Sequence, residues 1–360
     1  MALAESRVRA ASGAAPRPNA QSTWLQSVNP AAVLVGVVVL IMPAIASSFV
    51  LTQIFGWSYM LGTIALSLMF LAGYGGMVSL AQMTIAGFAG YVVAILGVNG
   101  MPGGIGWPWW LAVPAALILA MIVGAGIGAL AVRTVGIYTI MITLAIAAAF
   151  FYFANENYAI FNGHTGINAI PTPVFLGVDW HAAIPSYYLE LGVAFLCWLA
   201  VSTIARAPFG LALQGIRDNP RRMAALGFNV NAHRIAAYVV AAVIAALGGI
   251  LLVWSYGEVA PGTVSVSAAI DILVIAVVGG ISNPIGAFIG ALIYAVLKTF
   301  ALDFLVAFGL DGNRFRLLIG LGFLAIVFFS PDGIIGLWAR WRDRARPGSA
   351  RAPSAGGGHG

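Results

Sequence analysis

The sequence predicts an all-α fold, a polytopic transmembrane helical bundle of about ten helices (8–10) with both termini cytoplasmic. Three observations lead there. Hydrophobic residues make up 61% of the 360-residue chain and charged residues only 8%, too few to coat a soluble domain, which carries roughly a quarter. Apolar runs of about twenty residues, the length that crosses a bilayer as a helix, recur along the chain. The 44 glycines suit close helix contacts in lipid, and the strict apolar/polar alternation of a membrane β-barrel is missing.

In chain order, residues 1–29 are rich in Ala, Ser, Pro and Arg. They lack the apolar core and cleavage site of a signal peptide and read as a disordered cytoplasmic tail. Apolar segments follow near 31–51, 57–79, 83–97, 109–131, 135–154, 187–205, 234–256, 265–281, 285–302 and 316–335. The third is short, and the eighth and ninth run almost continuously through Gly and Pro, which sets the lower helix counts. Residues 30–338 therefore form the membrane domain, with a cytoplasmic loop at 206–233. Residues 339–360 form a second disordered tail, whose Arg cluster after Trp338 anchors the last helix at anionic lipid.

Orientation follows from the basic residues, which are retained on the cytoplasmic side. With the N-terminus inside, all of the 17 basic residues except Lys298, Arg314 and Arg316 fall in the cytoplasm. Those three fall around one outer loop beside Asp303 and Asp311, where local pairing offsets them. This distribution assigns the basic excess to membrane topology, with no nucleic acid as partner.

Chemistry of the enzymatic kind finds little support. Cys197 is the one cysteine and lies in an apolar run, and His164, His181, His233 and His359 show no metal-ligand spacing. No metal and no cofactor is expected. The single lysine follows no phosphate-binding glycine loop, so the chain is no ATPase by itself.

The loop between the sixth and seventh segments carries the most information. Asn219 can cap a helix, Pro220 suits its first position, and Gly227 supplies a left-handed stop. Arg217, Arg221 and Arg222 make the resulting short helix basic. It reads equally as an interfacial helix on lipid headgroups and as a docking element for a partner.

Polar residues within the spans also have two readings each. Asp271 reads first as a residue near the start of a helix, favoured by the dipole, and second as part of a pathway. Tyr138, Thr139 and Thr143 lie in the fifth segment, the two threonines on one face, and packing is the first reading over translocation lining. Tyr74, Ser79, Gln82 and Thr84 flank a Gly-rich break that is either a bent re-entrant connection or a turn at the surface. Asn283 and Pro284 can cap and begin the ninth helix. The spacings Gly87/Gly90 and Gly286/Gly290 read as helix-contact sites.

Several of these segments resemble a known family. FGLALQGIRDNPRRMAALGFNV (209–230) looks like the cytoplasmic loop of permease subunits of branched-chain amino acid ABC transporters, the LivM-like family. LMFLAGYGGMVSLAQMTIAGFAGY (68–91) resembles that family's GYxGxxSLGxxxFxGxGAY, and RTVGIYTIMITLA (133–145) its LRGxYFAxxTLA. FNGHTGI (161–167) resembles its TGGSDGI loop, AAIDILVIAVVGGISNPIGAFIGA (268–291) its acidic, GG and GxxxGA segment, and FSPDGIIGLW (329–338) its closing FxPxGLxGL. The resemblance runs from about residue 57 to 338.

It implies a non-enzymatic permease subunit of an ATP-driven importer, multi-pass in the bacterial inner membrane, moving leucine, isoleucine and valine or similar small polar solutes. The implied partners are a second homologous permease, two cytoplasmic ATP-binding subunits and a periplasmic solute-binding protein, besides membrane lipid. Arg217, Asp218, Asn219, Pro220, Arg221, Arg222 and Gly227 would couple the chain to the ATPases. Departures are specific: Pro220, Arg221 and Arg222 stand where the family often has an acidic residue, Gln82 stands at its His position, and FNGHTGI lacks its Asp. Related permeases serve urea, short amides and other small amino acids, so these remain alternatives, as does an ATP-independent secondary transporter or channel.

Overall fold

The computed structural model describes residues 30–97, 105–134, 136–173 and 180–307. Both expected tails and the segment at 316–335 lie outside these. The chain divides after Ser47 into two units. In the first, α1 (Pro30–Ile45) is an apolar helix with Pro43 inside it.

The second unit is helical throughout its regular structure, and no strand occurs among the described residues. It contains α2 (Val50–Tyr74), α3 (Gln82–Leu96), α4 (Trp109–Ala131), α5 (Ile137–Glu156), α6 (Ala183–Arg206), α7 (Pro208–Asp218), α8 (Pro220–Ala225), α9 (Val230–Tyr256), α10 (Val266–Gly279) and α11 (Pro284–Ala307). Among the described residues five helices, α2, α4, α5, α6 and α9, are long and apolar enough to cross a membrane, and the α10–α11 pair makes a sixth if counted as one span. These make the chain a multi-pass membrane protein.

The core lies where α9 packs against α2, α3 and α4, while α11 packs against α2 and α10. Small residues permit this closeness: Ala237, Ala241, Ala242, Ala245 and Ala246 of α9 are all buried. With lipid outside, packing and not water exclusion holds such helices together, so short side chains are favoured at contacts. The outer faces of α4 to α6 carry exposed Leu119, Ile122, Met141, Phe195 and Leu196, as expected where the solvent is lipid.

Two expected boundaries are corrected. The first and second segments were expected to part between 51 and 57, yet α2 runs unbroken through Gly56, with π-helical turns at Val50–Gly56 and Phe70–Tyr74. Gly56 is a contact and not a break: a Cβ there would fall on the Glu190 carboxylate of α6. The helix also ends at Tyr74, short of the expected 79, and residues 76–79 form an irregular connection in which Gly76 has φ +66°.

The eighth and ninth segments form a bent pair. α10 and α11 meet at 117° across a break at 280–283, where Asn283 accepts from the Ile285 amide (3.3 Å). A Cβ on Gly290 would fall on the Ile275 carbonyl oxygen, and one on Gly286 would meet the Gly280 carbonyl. The GxxxG spacing thus marks direct backbone approach between the two arms.

Candidate functional site

The loop from α6 to α9 is a built structure. Asn219 Oδ1 accepts from the Arg222 amide (3.0 Å) and caps α8, with Pro220 at its first position. Gly227 has φ +89°, and the Phe228 amide reaches back to the Met223 carbonyl (3.1 Å), closing the helix in a left-handed turn. Gln214 Nε2 donates to Ala205 O (2.9 Å), tying α7 to the end of α6. His233, on α9, stacks on Phe209 and meets Phe228 edge-on. Asp218, Arg221 and Arg222 face outward beside exposed Leu211, Leu226 and Phe228. Asn219→Ala should cost about 1 kcal/mol of local stability, read as faster hydrogen exchange across residues 220–226.

Arg217 turns the other way. Its Nη1 donates to the Gly73 carbonyl at the end of α2, and its Nε pairs with Asp218 at 3.0 Å. That pair is exposed and contributes little. The Gly73 contact matters more, because it joins the basic loop to the stretch where α2 ends.

That stretch enters the bundle. Met77, Ser79, Leu80 and Ala81 are buried, so the connection after Tyr74 is an irregular segment inside protein and not a surface turn. Its backbone must then find partners within the fold. The Leu80 amide donates to Thr143 Oγ1 (3.1 Å), and the Met77 amide to Leu71 O (3.0 Å). Ser67 donates to Gln82 Oε1 (3.0 Å), and Gln82 Nε2 lies 3.5 Å from Ser79 Oγ. Ser67, Ser79, Gln82 and Thr143 thereby form a buried polar layer across α2, α3 and α5, with Thr84 buried next to it. Thr139 is buried and lies 3.2 Å from Thr134 Oγ1. Tyr138 differs from its neighbours: it is 65% exposed and lies on the outer surface.

Cavities lie on either side of this layer. Towards the basic loop, a space of about 180 Å³ is bounded by Gly76, Val78, Thr139 and Arg234. Towards the opposite end, a cavity of about 370 Å³ is lined by residues of α2, α3, α9, α10 and α11. Its floor includes Met83, next to Gln82, and its walls carry Trp57, Tyr256, Asp271 and Lys298, with Glu258 at the end of α9. The FNGHTGI loop abuts this end, since the Ile167 and Val259 amides and carbonyls exchange hydrogen bonds of 2.8 and 2.9 Å. Asp271 thus lines a cavity. Lys298 stands on α11 over the Trp57 ring, 4.2 Å from its centroid.

One residue escaped sequence reasoning. Glu190 of α6 is buried at 3% exposure. Ser186 donates to its Oε1 (3.0 Å), and Ser255 of α9 hydrogen-bonds it too. Its place near a segment edge hid it; the signal was Ser186 four residues earlier on the same face.

A family model described as branched-chain amino acid transport system, permease component, matches residues 50–327. The chain belongs to this family of transport permeases. The permease is 22% identical over 316 residues to the high-affinity branched-chain amino acid permease protein LivM of Escherichia coli K12, covering 81% of this chain and 69% of that protein. It is 26% identical over 285 residues to LivH of the same organism, covering 76% and 90%. A shorter match, 31% over 117 residues, links it to the nucleoside ABC transporter permease protein NupC of Lactococcus lactis, covering 32% and 35%. No solved structure is significantly similar to the permease. The matched span holds the polar layer, both cavities and the basic loop, and the family is one of transport subunits, not enzymes.

Proposed function

We propose that the chain is one of two permease subunits in an ATP-driven importer of the bacterial inner membrane, carrying branched-chain amino acids or similar small polar solutes inward. The basic loop lies in the cytoplasm and docks on an ATP-binding subunit through Asp218, Arg221, Arg222 and the exposed Leu211, Leu226 and Phe228. A second permease, two ATPases and an external solute-binding protein complete the assembly. The observation that carries this reading is the Arg217–Gly73 contact, by which a loop presented to a partner grips the segment leading to the buried polar layer.

In this mechanism the Ser67–Gln82–Ser79–Thr143 layer is the barrier. The larger cavity opens outward and the smaller inward, and only one is continuous with the pathway at a time. Movement of α7 and α8 on ATP binding pulls on Gly73 through Arg217 and shifts residues 75–81, which exchange their hydrogen bonds across the layer. A two-state element biased from both ends is what such coupling requires. Thr139, Thr143, Tyr74, Ser79, Gln82 and Thr84 are its polar parts, and Asp271 belongs to the outer cavity.

Purification from the native membrane in mild detergent, with mass spectrometry of what accompanies the chain, tests the assembly. Two ATPase subunits and a second permease are expected; a chain that reproducibly travels alone where those ATPases are present would sink the reading in favour of an ion-coupled carrier. Gly227→Val probes the loop. A β-branched residue is strained at φ +89°, so α8 should lose its terminating turn and ATP-driven uptake should fall several-fold in a reconstituted assembly.

A further inference from the structure

Three spans have their ends around the smaller cavity: α4 stops at Ala131, α5 starts at Ile137 and α9 starts at Val230. The space of about 180 Å³ takes its lining from these ends and from Gly76, Met77 and Val78 of the connection after α2. Its charge is of one sign, since Arg234 borders it and, among the described residues, no carboxylate does. The hydroxyls of Thr134 and Thr139 are engaged with each other (3.2 Å) and with the carbonyls of Ala131 and Thr134. Arg234 Nε, by contrast, is buried and makes no hydrogen bond among the described residues. A buried guanidinium N–H without an acceptor is costly, and such a group persists at the edge of a membrane where an anion can reach it. The first turn of α5 lines the same space, preceded by Gly136 at φ +64° with no side-chain cap. An uncapped helix start adds oriented N–H groups to the charge of the guanidinium. On the outer surface beside these ends Arg133 is exposed, and so are Leu130, Ile137, Tyr138 and Met141.

We propose that this cavity binds the phosphate of an anionic phospholipid headgroup from the cytoplasmic leaflet. Arg234 and the start of α5 are its donors, Arg133 adds charge, and the acyl chains lie along Leu130, Ile137 and Met141. A guanidinium meets a phosphate through two parallel N–H groups, and basic pockets between transmembrane helices on the cytoplasmic side take such headgroups. Tyr138, exposed at the same end of α5, has the place of an interfacial tyrosine. Free phosphate presents the same oxyanion but has nothing to lay against the apolar surface. The one-signed charge favours a lipid over the apolar face of another protein subunit. An occupant here touches residues 76–78, and Gly76 also packs against the stem of Arg217. The headgroup therefore braces the connection to the polar layer in the arrangement seen here and weights the transporter towards it. That consequence rests on the permease reading; the binding itself does not.

The test takes the full-length chain, in the assembly with which it purifies, and titrates it in detergent with phosphatidylglycerol or phosphatidylcholine, bound lipid being counted by native mass spectrometry. One phosphatidylglycerol should bind about tenfold or more tighter than phosphatidylcholine, the worth of a charge-assisted contact that the choline cation offsets. Arg234→Gln should erase this preference, whereas Arg206→Gln, which removes the same charge from the end of α6, should leave it. In nanodiscs, phosphatidylglycerol should slow hydrogen exchange at residues 76–81 and 136–140 relative to phosphatidylcholine, and should not do so in R234Q. Equal binding of the two lipids, or unchanged exchange at those residues, would overturn the proposal on the unaltered chain alone, whether or not a variant folds. Displacement of phosphatidylglycerol by millimolar inorganic phosphate would overturn it by giving the site to a soluble anion. So would a photoreactive group at position 137 that cross-links to another protein subunit instead of to lipid. ATP-driven uptake by the assembled transporter is measured apart from these and checks the permease reading alone.

Discussion

Replacing Arg217 by alanine is expected to leave the transporter assembled and able to hydrolyse ATP while cutting solute uptake about tenfold to a hundredfold, the usual range of an allosteric coupling energy. The argument separates its two contacts. The ion pair with Asp218 is between side chains 41% and 67% exposed, and solvent screening leaves such a pair almost nothing. The bond to the Gly73 carbonyl joins residues 144 positions apart, one on the exposed loop and the other at the end of α2. A guanidinium spans that gap with its stem packed against Gly76, where a Cβ would meet Arg217 Cγ at 2.6 Å. Lysine keeps the charge but not the fork geometry, so Arg217→Lys should recover only part of the uptake. Measuring hydrolysis and uptake together in proteoliposomes decides the matter. Loss of both in parallel would mean that Arg217 serves assembly, and loss of neither would mean that the Gly73 contact transmits nothing.

What the sequence made legible was what local rules govern. Asn219, Pro220 and Gly227 predict a capped and terminated helix because cap, first-turn and left-handed positions depend on neighbours a few residues away, and the structure has each of them. The helix-contact reading of Gly286 and Gly290 holds for the same reason, since spacing alone puts both on one face. The Gly-rich break after Tyr74 was visible, but whether it lay at the surface or inside was not, because that depends on Thr143 of another helix receiving the Leu80 amide.

The remaining features are non-local. Gly56 lies where the first two apolar segments were expected to part, and its use is to admit the Glu190 carboxylate of α6. Lys298 fell near the outer end of the segment 285–302, and its place over Trp57 brings together residues 241 positions apart by number, one on α2 and one on α11. Asp271 could be read from a helix dipole, yet the cavity it borders is assembled from five helices. No periodicity within one segment encodes such a meeting.

Gly290→Leu should cost about 3 kcal/mol or more, because it overfills a contact between two backbones. A Cβ at this position would fall on the Ile275 carbonyl, with the Gly279 amide nitrogen 2.9 Å away, so no rotamer of a larger side chain escapes the clash. α10 and α11 would have to part. They bend back on each other at 117°, and their facing surfaces carry Asp271 and Lys298 into the same cavity. Thermal unfolding in detergent, followed by size-exclusion fluorescence, should therefore show a lowered midpoint for Gly290→Leu and a smaller loss for Gly290→Ala. Solute uptake by the assembled transporter should fall in step with the size of the new side chain even at temperatures where the variant stays folded. The dependence on size is the informative part, because a defect confined to folding would leave the surviving molecules with normal uptake. Separation of the two arms instead moves Lys298 away from the Trp57 ring and reshapes the cavity in every molecule.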